Sequence, residues 1–196
     1  MFELANNSNS WDWCYAPNAI TESHVNQMGK AELLTLLDEV ILAWNNKSIR
    51  PSHIYSVTEI IRHRVNKLEM SYSNNIPIPI CYFTDVQTIG ALMVQIYLEV
   101  NQIKTTLQGL KNGSDLAFLI KDLDSKLPPG IIFSFSSFHL IDTIKPNIKQ
   151  LLSLRTKFCA GGLIFNLNKS LKRSLPGFIF PSDLPDLVQE IMRGEL

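Results

Sequence analysis

From residue 76 onward the chain alternates short apolar runs with stretches of helical period, and that alternation admits few folds. "PICYFTD" reads as a strand and "TIGALMVQIYLEVNQ" as a helix. "IKTTLQG" is strand-like, and "SDLAFLIKDLDSKL" predicts a helix with Ser114 as its N-cap. "GIIFSFSS" is the clearest buried strand. "LIDTIKPNIKQLLSL" predicts a helix with Pro146 in its first turns. "KFCAGGLIF" predicts a fourth strand, "NKSLKRSL" a short helix, "GFIFP" a last strand and "SDLPDLVQEIMRG" a closing helix. Short apolar strands separated by helices fit a parallel sheet covered on both faces. Right-handed crossovers make such a sheet doubly wound. The expected architecture is α/β: a flavodoxin-like, doubly wound, parallel five-stranded sheet over residues 76–196, preceded by a short helical cap.

The cap is predicted over residues 29–72. Leu33, Leu34, Leu37, Val40, Ile41 and Trp44 recur at three- and four-residue steps, the period of one helix face. "NNKSIRPSH" interrupts the pattern. Ile54, Val57, Ile60, Ile61, Val65 and Leu68 then resume it, with Pro51 suited to the first turn. Two helices make a hairpin that must pack on something else. "SYSNNIPIPI" (71–80) is the connector. Residues 1–28 are polar and Asn-rich around "WDWCY". This segment is too short to fold alone, and the expectation is partial disorder or draping over the core through Trp11 and Trp13.

Lys plus Arg equal Asp plus Glu at 18 each, which removes any general attraction to nucleic acid or an anionic membrane. The strongest local basic cluster is "LNKSLKRSL" (167–175), and a solvated helix face accounts for it. Cys14, Cys81 and Cys159 lack metal-ligand spacing and leave one thiol unpaired, as in a reducing compartment. Cys81 and Cys159 lie in apolar runs and read as small core residues. The start of the sequence shows no signal-peptide pattern, and no apolar run approaches the ~18 residues of a membrane span. The expectation is a cytoplasmic protein.

Ligands of open parallel sheets bind outside the carboxyl ends of the strands. Asp85, Gln87 and Gly90 follow the first predicted strand, Ser134, Ser136 and Ser137 lie in and after the third, and Gly161 and Gly162 follow the fourth. Singly, each has an ordinary structural explanation. Asp85 or Thr84 can cap a helix, the serines can bond turn amides, and Gly-Gly can make a tight turn. The ordered set is more specific than any member.

As a set, "DVQTIG" (85–90), "SFS" (134–136) and "GG" (161–162) resemble the cobalamin-binding domain. That family carries Asp-x-His-x-x-Gly after its first strand, a Ser-x-Leu or Ser-x-Thr signature further on, and Gly-Gly after the fourth strand. The tail from Gly161 is similar to the family's ending. Upstream, "WNNKSIRPSHIYSVTEIIRHRV" (44–65) resembles the end of the helical cap in light-responsive, cobalamin-dependent repressors of the MerR type. There a Trp, matched by Trp44, precedes Glu-His in the following helix, and basic residues matched by Arg62 and Arg64 come later. The resemblance covers residues 30–196. Corrinoid carriers of methyl-transfer enzymes share the sheet domain, but the Trp-containing segment favours the regulators.

Several positions depart from that family. Gln87 stands where the resemblance puts the lower axial His. Ile54 and Tyr55 stand at the Glu-His positions over the upper face, and Asn45 follows Trp44 where some relatives have a second His. Neutral imidazole is a common metal ligand, whereas a Gln amide is a poor donor to cobalt. The resemblance therefore implies a ligand pocket of Asp85, Gln87, Gly90, Ser134, Ser136, Gly161 and Gly162. Over it would lie a cap of Trp44, Asn45, Ile54 and Tyr55, without ordinary His-ligated cobalamin. His139, beyond the third strand, and His53 are the remaining metal candidates, and a surface or structural histidine explains each.

Three expectations compete. The first is a regulatory or sensory protein on this fold, binding haem, another tetrapyrrole or no ligand. It would act through a protein partner or as a homo-oligomer, with a role in transcription regulation. The repressors carry a winged-helix DNA-binding domain before the cap; residues 1–28 cannot supply one, so no direct nucleic-acid binding is expected. The second is a genuine cobalamin-binding photosensor or corrinoid carrier that binds without a protein His. The third is an enzyme, disfavoured because the sequence shows no Ser-His-Asp order, phosphate-cradling Gly loop or paired carboxylates.

Overall fold

The apolar periodicities resolve into two units in the computed structural model, which describes residues 20–69, 71–126, 128–194 and 196. The division falls between residues 70 and 71. The expected draping of Trp11 and Trp13, and Cys14 with it, lies outside the described residues.

The first unit holds α1 (Glu22–Val25), α2 (Lys30–Asn45) and α3 (Pro51–Lys67). Thr21 caps α1, its Oγ1 accepting from His24 N at 3.3 Å. Glu32 reaches back from the first turn of α2 to accept the Gly29 N–H at 2.7 Å. Pro51 opens α3, where a missing N–H leaves no bond unmade. Leu33, Leu36, Leu37 and Val40 of α2 and Ile54, Val57, Ile61 and Val65 of α3 are buried. Arg64 Nε donates to the Met28 carbonyl at 3.0 Å, tying α3 to the turn after α1.

The second unit is a four-stranded parallel sheet: β1 (Ile78–Tyr82), β2 (Thr105–Gly109), β3 (Gly130–Ser134) and β4 (Lys157–Gly161), in the order β2-β1-β3-β4. That order is the start of the flavodoxin-like arrangement. Its helices are α4 (Ile89–Val100), α5 (Gly113–Lys126), α6 (Leu140–Ile144), α7 (Ile148–Ser153), α8 (Leu163–Leu167) and α9 (Leu184–Met192). Period-two alternation divides the strand residues between two cores. Cys81, Ile131, Phe133, Phe158 and Ala160 face one, with Phe83 and Phe135 just beyond their strands and residues of α5 to α8. Here phenylalanine rings pack on one another: Phe83 and Phe135 stack with centroids 5.1 Å apart, and Phe133 and Phe178 meet tilted at 5.8 Å. Ile78, Ile80, Ile132 and Cys159 face the other, with Ala91 and Leu98 of α4 and Leu187 of α9.

Four expectations are corrected. Among the described residues the sheet has four strands, not five. Ile179 lies parallel to β4, giving its carbonyl to Ala160 N at 2.9 Å and its N–H to Phe158 O at 2.8 Å, but forms only an isolated bridge. Gly177 (φ +80°) turns the chain in just before it, and Pro181, lacking an N–H, follows just after it. Strand β4 stops at Gly161 because Gly162 takes φ +132°, so Leu163–Leu167 becomes helix α8. The predicted helix over 140–154 is two short helices joined by a 3-10 turn, Lys145–Asn147, at Pro146. The turn before α5 is capped by Asn112, whose Oδ1 accepts from Ser114 N at 2.8 Å and Asp115 N at 3.1 Å, and not by Ser114.

Candidate site at the carboxyl ends of the strands

Strand register builds the site. Tyr82 pairs laterally with Gly109 on one side and Ser134 on the other, and Ser134 pairs with Gly161. The final residues of all four strands thus form one row: Gly109, Tyr82, Ser134, Gly161. Alternation places the whole row on the face that carries Ile80, Ile132 and Cys159 lower down. Three of the four are Gly or Ser, so the row is shallow except at Tyr82.

The loop from β1 to α4 borders this row. Phe83 is buried with the opposite core, whereas Val86 is 71% exposed. Thr88 Oγ1 caps α4, accepting from Ala91 N at 3.3 Å, so neither Asp85 nor Thr84 does. Asp85 is exposed and pairs with Lys111 Nζ at 3.0 Å, a partner supplied by the turn after β2. The hydrogen bond and charge of Asp85 raise the Lys111 pKa. The Gln87 amide nitrogen is shut off from solvent. Gly90, on the first turn of α4, packs against β3: a Cβ there would lie 3.5 Å from Ser134 Oγ, ordinary contact.

Gly161, the last residue of β4, and Gly162, the next, have opposite surroundings. A Cβ on Gly161 would meet nothing within 4 Å, so this position opens onto free space beside Ser134. A Cβ on Gly162 would sit 2.0 Å from the Phe135 carbonyl oxygen. Gly162 therefore lets two backbones cross closely, and Phe135 N donates to Gly161 O at 2.9 Å alongside it. Ser134 is buried, Ser136 is exposed, and Ser137 Oγ lies 3.0 Å from His139 Nδ1 at the exposed start of α6.

The structure thus brings together Gly90, Ser134 and Gly161, with the β1–α4 loop of Asp85 and Gln87 bordering them; Gly162 turns away. In the first unit, Trp44 and Asn45 end α2, and Ile54 and Tyr55 sit in the first turns of α3. Trp44 and Tyr55 are half-buried, Asn45 is exposed and Ile54 is buried. His53 belongs to that unit as well, with a buried Nδ1. Among the described residues no three His, Cys, Asp or Glu side chains gather where they could hold a metal ion. Among them, too, no helix is long and apolar enough to cross a membrane. Burial raises the Cys159 thiol to about 12 and the Cys81 thiol still higher, so both are inert core groups.

Sequence reasoning passed over the end of β2, which supplies Gly109 to the row and, one turn later, Lys111 to Asp85. A signal was present: "TTLQG" ends on a glycine as "KFCAG" does.

No protein-family model and no curated protein matches this sequence. Among solved structures, the chain is similar to a cobalamin-binding protein from Desulfitobacterium hafniense DCB-2, with a TM-score of 0.56 and 17% sequence identity. The match covers 81% of this chain and 77% of that one. The chain therefore shares the α/β fold of that protein.

Proposed function

We propose that the second unit is a sensory module that takes a corrinoid by its nucleotide tail and holds the metal without a protein imidazole. The observation carrying this reading is the open space at Gly161, in register with Ser134, which Gly90 approaches from α4. A side chain at Gly161 would fill the place where a flat, phosphate-linked tail can lie against the strand ends. Gly161, Ser134 and Gly90 fit that tail. The metal is different. Gln87 provides an amide, His139 is exposed beside Ser137, and the described residues offer no ligand cluster. The protein's contribution is to hold and orient the tail and exclude water around it, while axial chemistry stays with the corrinoid's own groups.

The tail also decides between tetrapyrroles. Haem carries no nucleotide, so the groove gives it nothing, and the absence of an imidazole at residue 87 counts against it as well. The likeness of residues 44–65 to the cap of light-responsive repressors supports a regulatory role over that of a methyl carrier. On this reading output passes through a protein partner or a change of oligomeric state.

The test is an absorption spectrum after incubation with hydroxocobalamin, adenosylcobalamin or haemin, followed by desalting. Both cobalamins are expected to be retained and haemin lost. Gly161→Phe is expected to abolish retention with circular dichroism unchanged. Gln87→His is expected to keep the corrinoid and shift its visible bands through a new cobalt–nitrogen bond. A wild-type protein that leaves the column colourless after both cobalamins overturns the proposal. Light scattering with and without bound corrinoid checks the oligomeric response.

A further inference from the structure

Tyr82 is the one large side chain in the row of strand-end residues, and its position depends on Gly109. A Cβ at Gly109 would lie 3.3 Å from three atoms of the Tyr82 ring, Cε2, Cζ and Oη. The ring therefore leans across the edge strand β2, with its hydroxyl end over the glycine. It leans away from Ser134, the neighbour of Tyr82 on the other side. Adjacent strands lie about 4.8 Å apart, so a Tyr ring swung the other way would lie across Ser134 and reach toward Gly161. The ring is half-buried, so part of it faces solvent. Nothing else in the row is large enough to obstruct it.

We propose that Gly109 and Tyr82 set the width of the ligand groove: the glycine provides a resting place for the ring, and the ring resting there keeps the Ser134–Gly161 stretch open. This pair positions the site and does not bind metal. The inference deepens the proposed corrinoid reading and rests on it for the ligand's identity, but the geometry of the groove is testable without any ligand.

The experiment therefore has two arms, both in the full chain. In the first, Gly161→Cys is introduced with Cys14→Ser. Cys81 and Cys159 are buried and their thiols strongly raised, so the new cysteine is the accessible one. Its rate of reaction with a small maleimide reports whether the groove is open. Adding Gly109→Val, a residue well suited to a strand, removes the resting place. A ring held across the groove nine-tenths of the time slows labelling about tenfold. Adding Tyr82→Ala to that triple variant is expected to restore the fast rate, which a merely misfolded protein would not do. Equal labelling rates with and without Gly109→Val overturn the inference, as does a slow rate that Tyr82→Ala fails to relieve. In the second arm, hydroxocobalamin retention is compared between wild type, Gly109→Val and Gly109→Val with Tyr82→Ala; loss and recovery are expected. Retention unchanged by Gly109→Val also refutes the inference. If wild type retains no corrinoid, the corrinoid reading falls and the labelling arm alone decides the gate.

Discussion

Replacing Gly162 by Ala tests the contrast between the two adjacent glycines most directly. Gly162 takes φ +132° and ψ 156°, a region that only glycine enters freely. Forcing another residue there costs on the order of 1–3 kcal/mol. Relief requires Phe135 and Gly162 to separate, because the new Cβ would otherwise stand 2.0 Å from the Phe135 carbonyl oxygen. Separation also strains the 2.9 Å bond from Phe135 N to Gly161 O, worth about 1 kcal/mol. The sum is a loss of about 2–4 kcal/mol. Gly161 has no positive φ and nothing within 4 Å of its Cβ position. Gly161→Ala should therefore be neutral or stabilising by up to about 1 kcal/mol, through the unfolded chain. The assay is urea unfolding of the full chain followed by circular dichroism. With an m-value near ~1.5 kcal/mol/M, Gly162→Ala lowers the midpoint of the displaced transition by about 1–3 M. A Gly162→Ala midpoint equal to wild type refutes the close-crossing argument. A Gly161→Ala loss of the same size refutes the open space at Gly161, and with it the carrying observation for ligand binding.

Lys47, two residues past the end of α2, takes φ +57°, a left-handed conformation that costs a non-glycine residue about 1 kcal/mol, so Lys47→Gly should raise the urea midpoint slightly. A lowered midpoint would mean the lysine side chain matters more than its backbone. The buried thiols give a pH dependence. Their pKa values are raised on folding, so their contribution is complete below the unfolded value near 9.0 and is lost as pH climbs toward the folded value, about 12 for Cys159. Stability should fall by about 1.4 kcal/mol per pH unit per thiol above pH 9, and Cys159→Ala should flatten that slope by one thiol's share. An unchanged slope between pH 9 and 10.5 would show that Cys159 is not sealed.

Thr105–Gly109 was legible through its β-branched threonines and its place between two helical stretches, whereas the other three strands, Ile78–Tyr82, Gly130–Ser134 and Lys157–Gly161, were legible as short apolar runs. The same signal failed at Phe178–Phe180 and at Leu163–Phe165. Hydrophobicity reports burial, which Ile164, Phe165 and Phe178 have; strand pairing depends instead on backbone angles set by Gly177, Pro181 and Gly162. The site followed the same division. That Asp85, Gln87, Ser134 and Gly161 would stand at strand ends was readable, since sequence order fixes which residues follow a strand. What each one faces was not. Lys111 reaches Asp85, and Phe135 meets Gly162, across separations that local pattern does not encode.

This difference changes what the family-like residues mean. Gly162 is required by the crossing with Phe135 whether or not any ligand binds, so its presence says nothing about a tail. Asp85 has a lysine partner on an exposed loop, so its presence says nothing about an imidazole at residue 87. Gly161 has neither excuse, because no backbone angle and no neighbouring atom forbids a side chain there. A fold with no use for the groove could carry an ordinary residue there without a clash and gain up to about 1 kcal/mol through the unfolded chain. The functional argument for this chain therefore rests on Gly161, and on Gly109 through the ring it accommodates, more than on the motif residues that first drew notice.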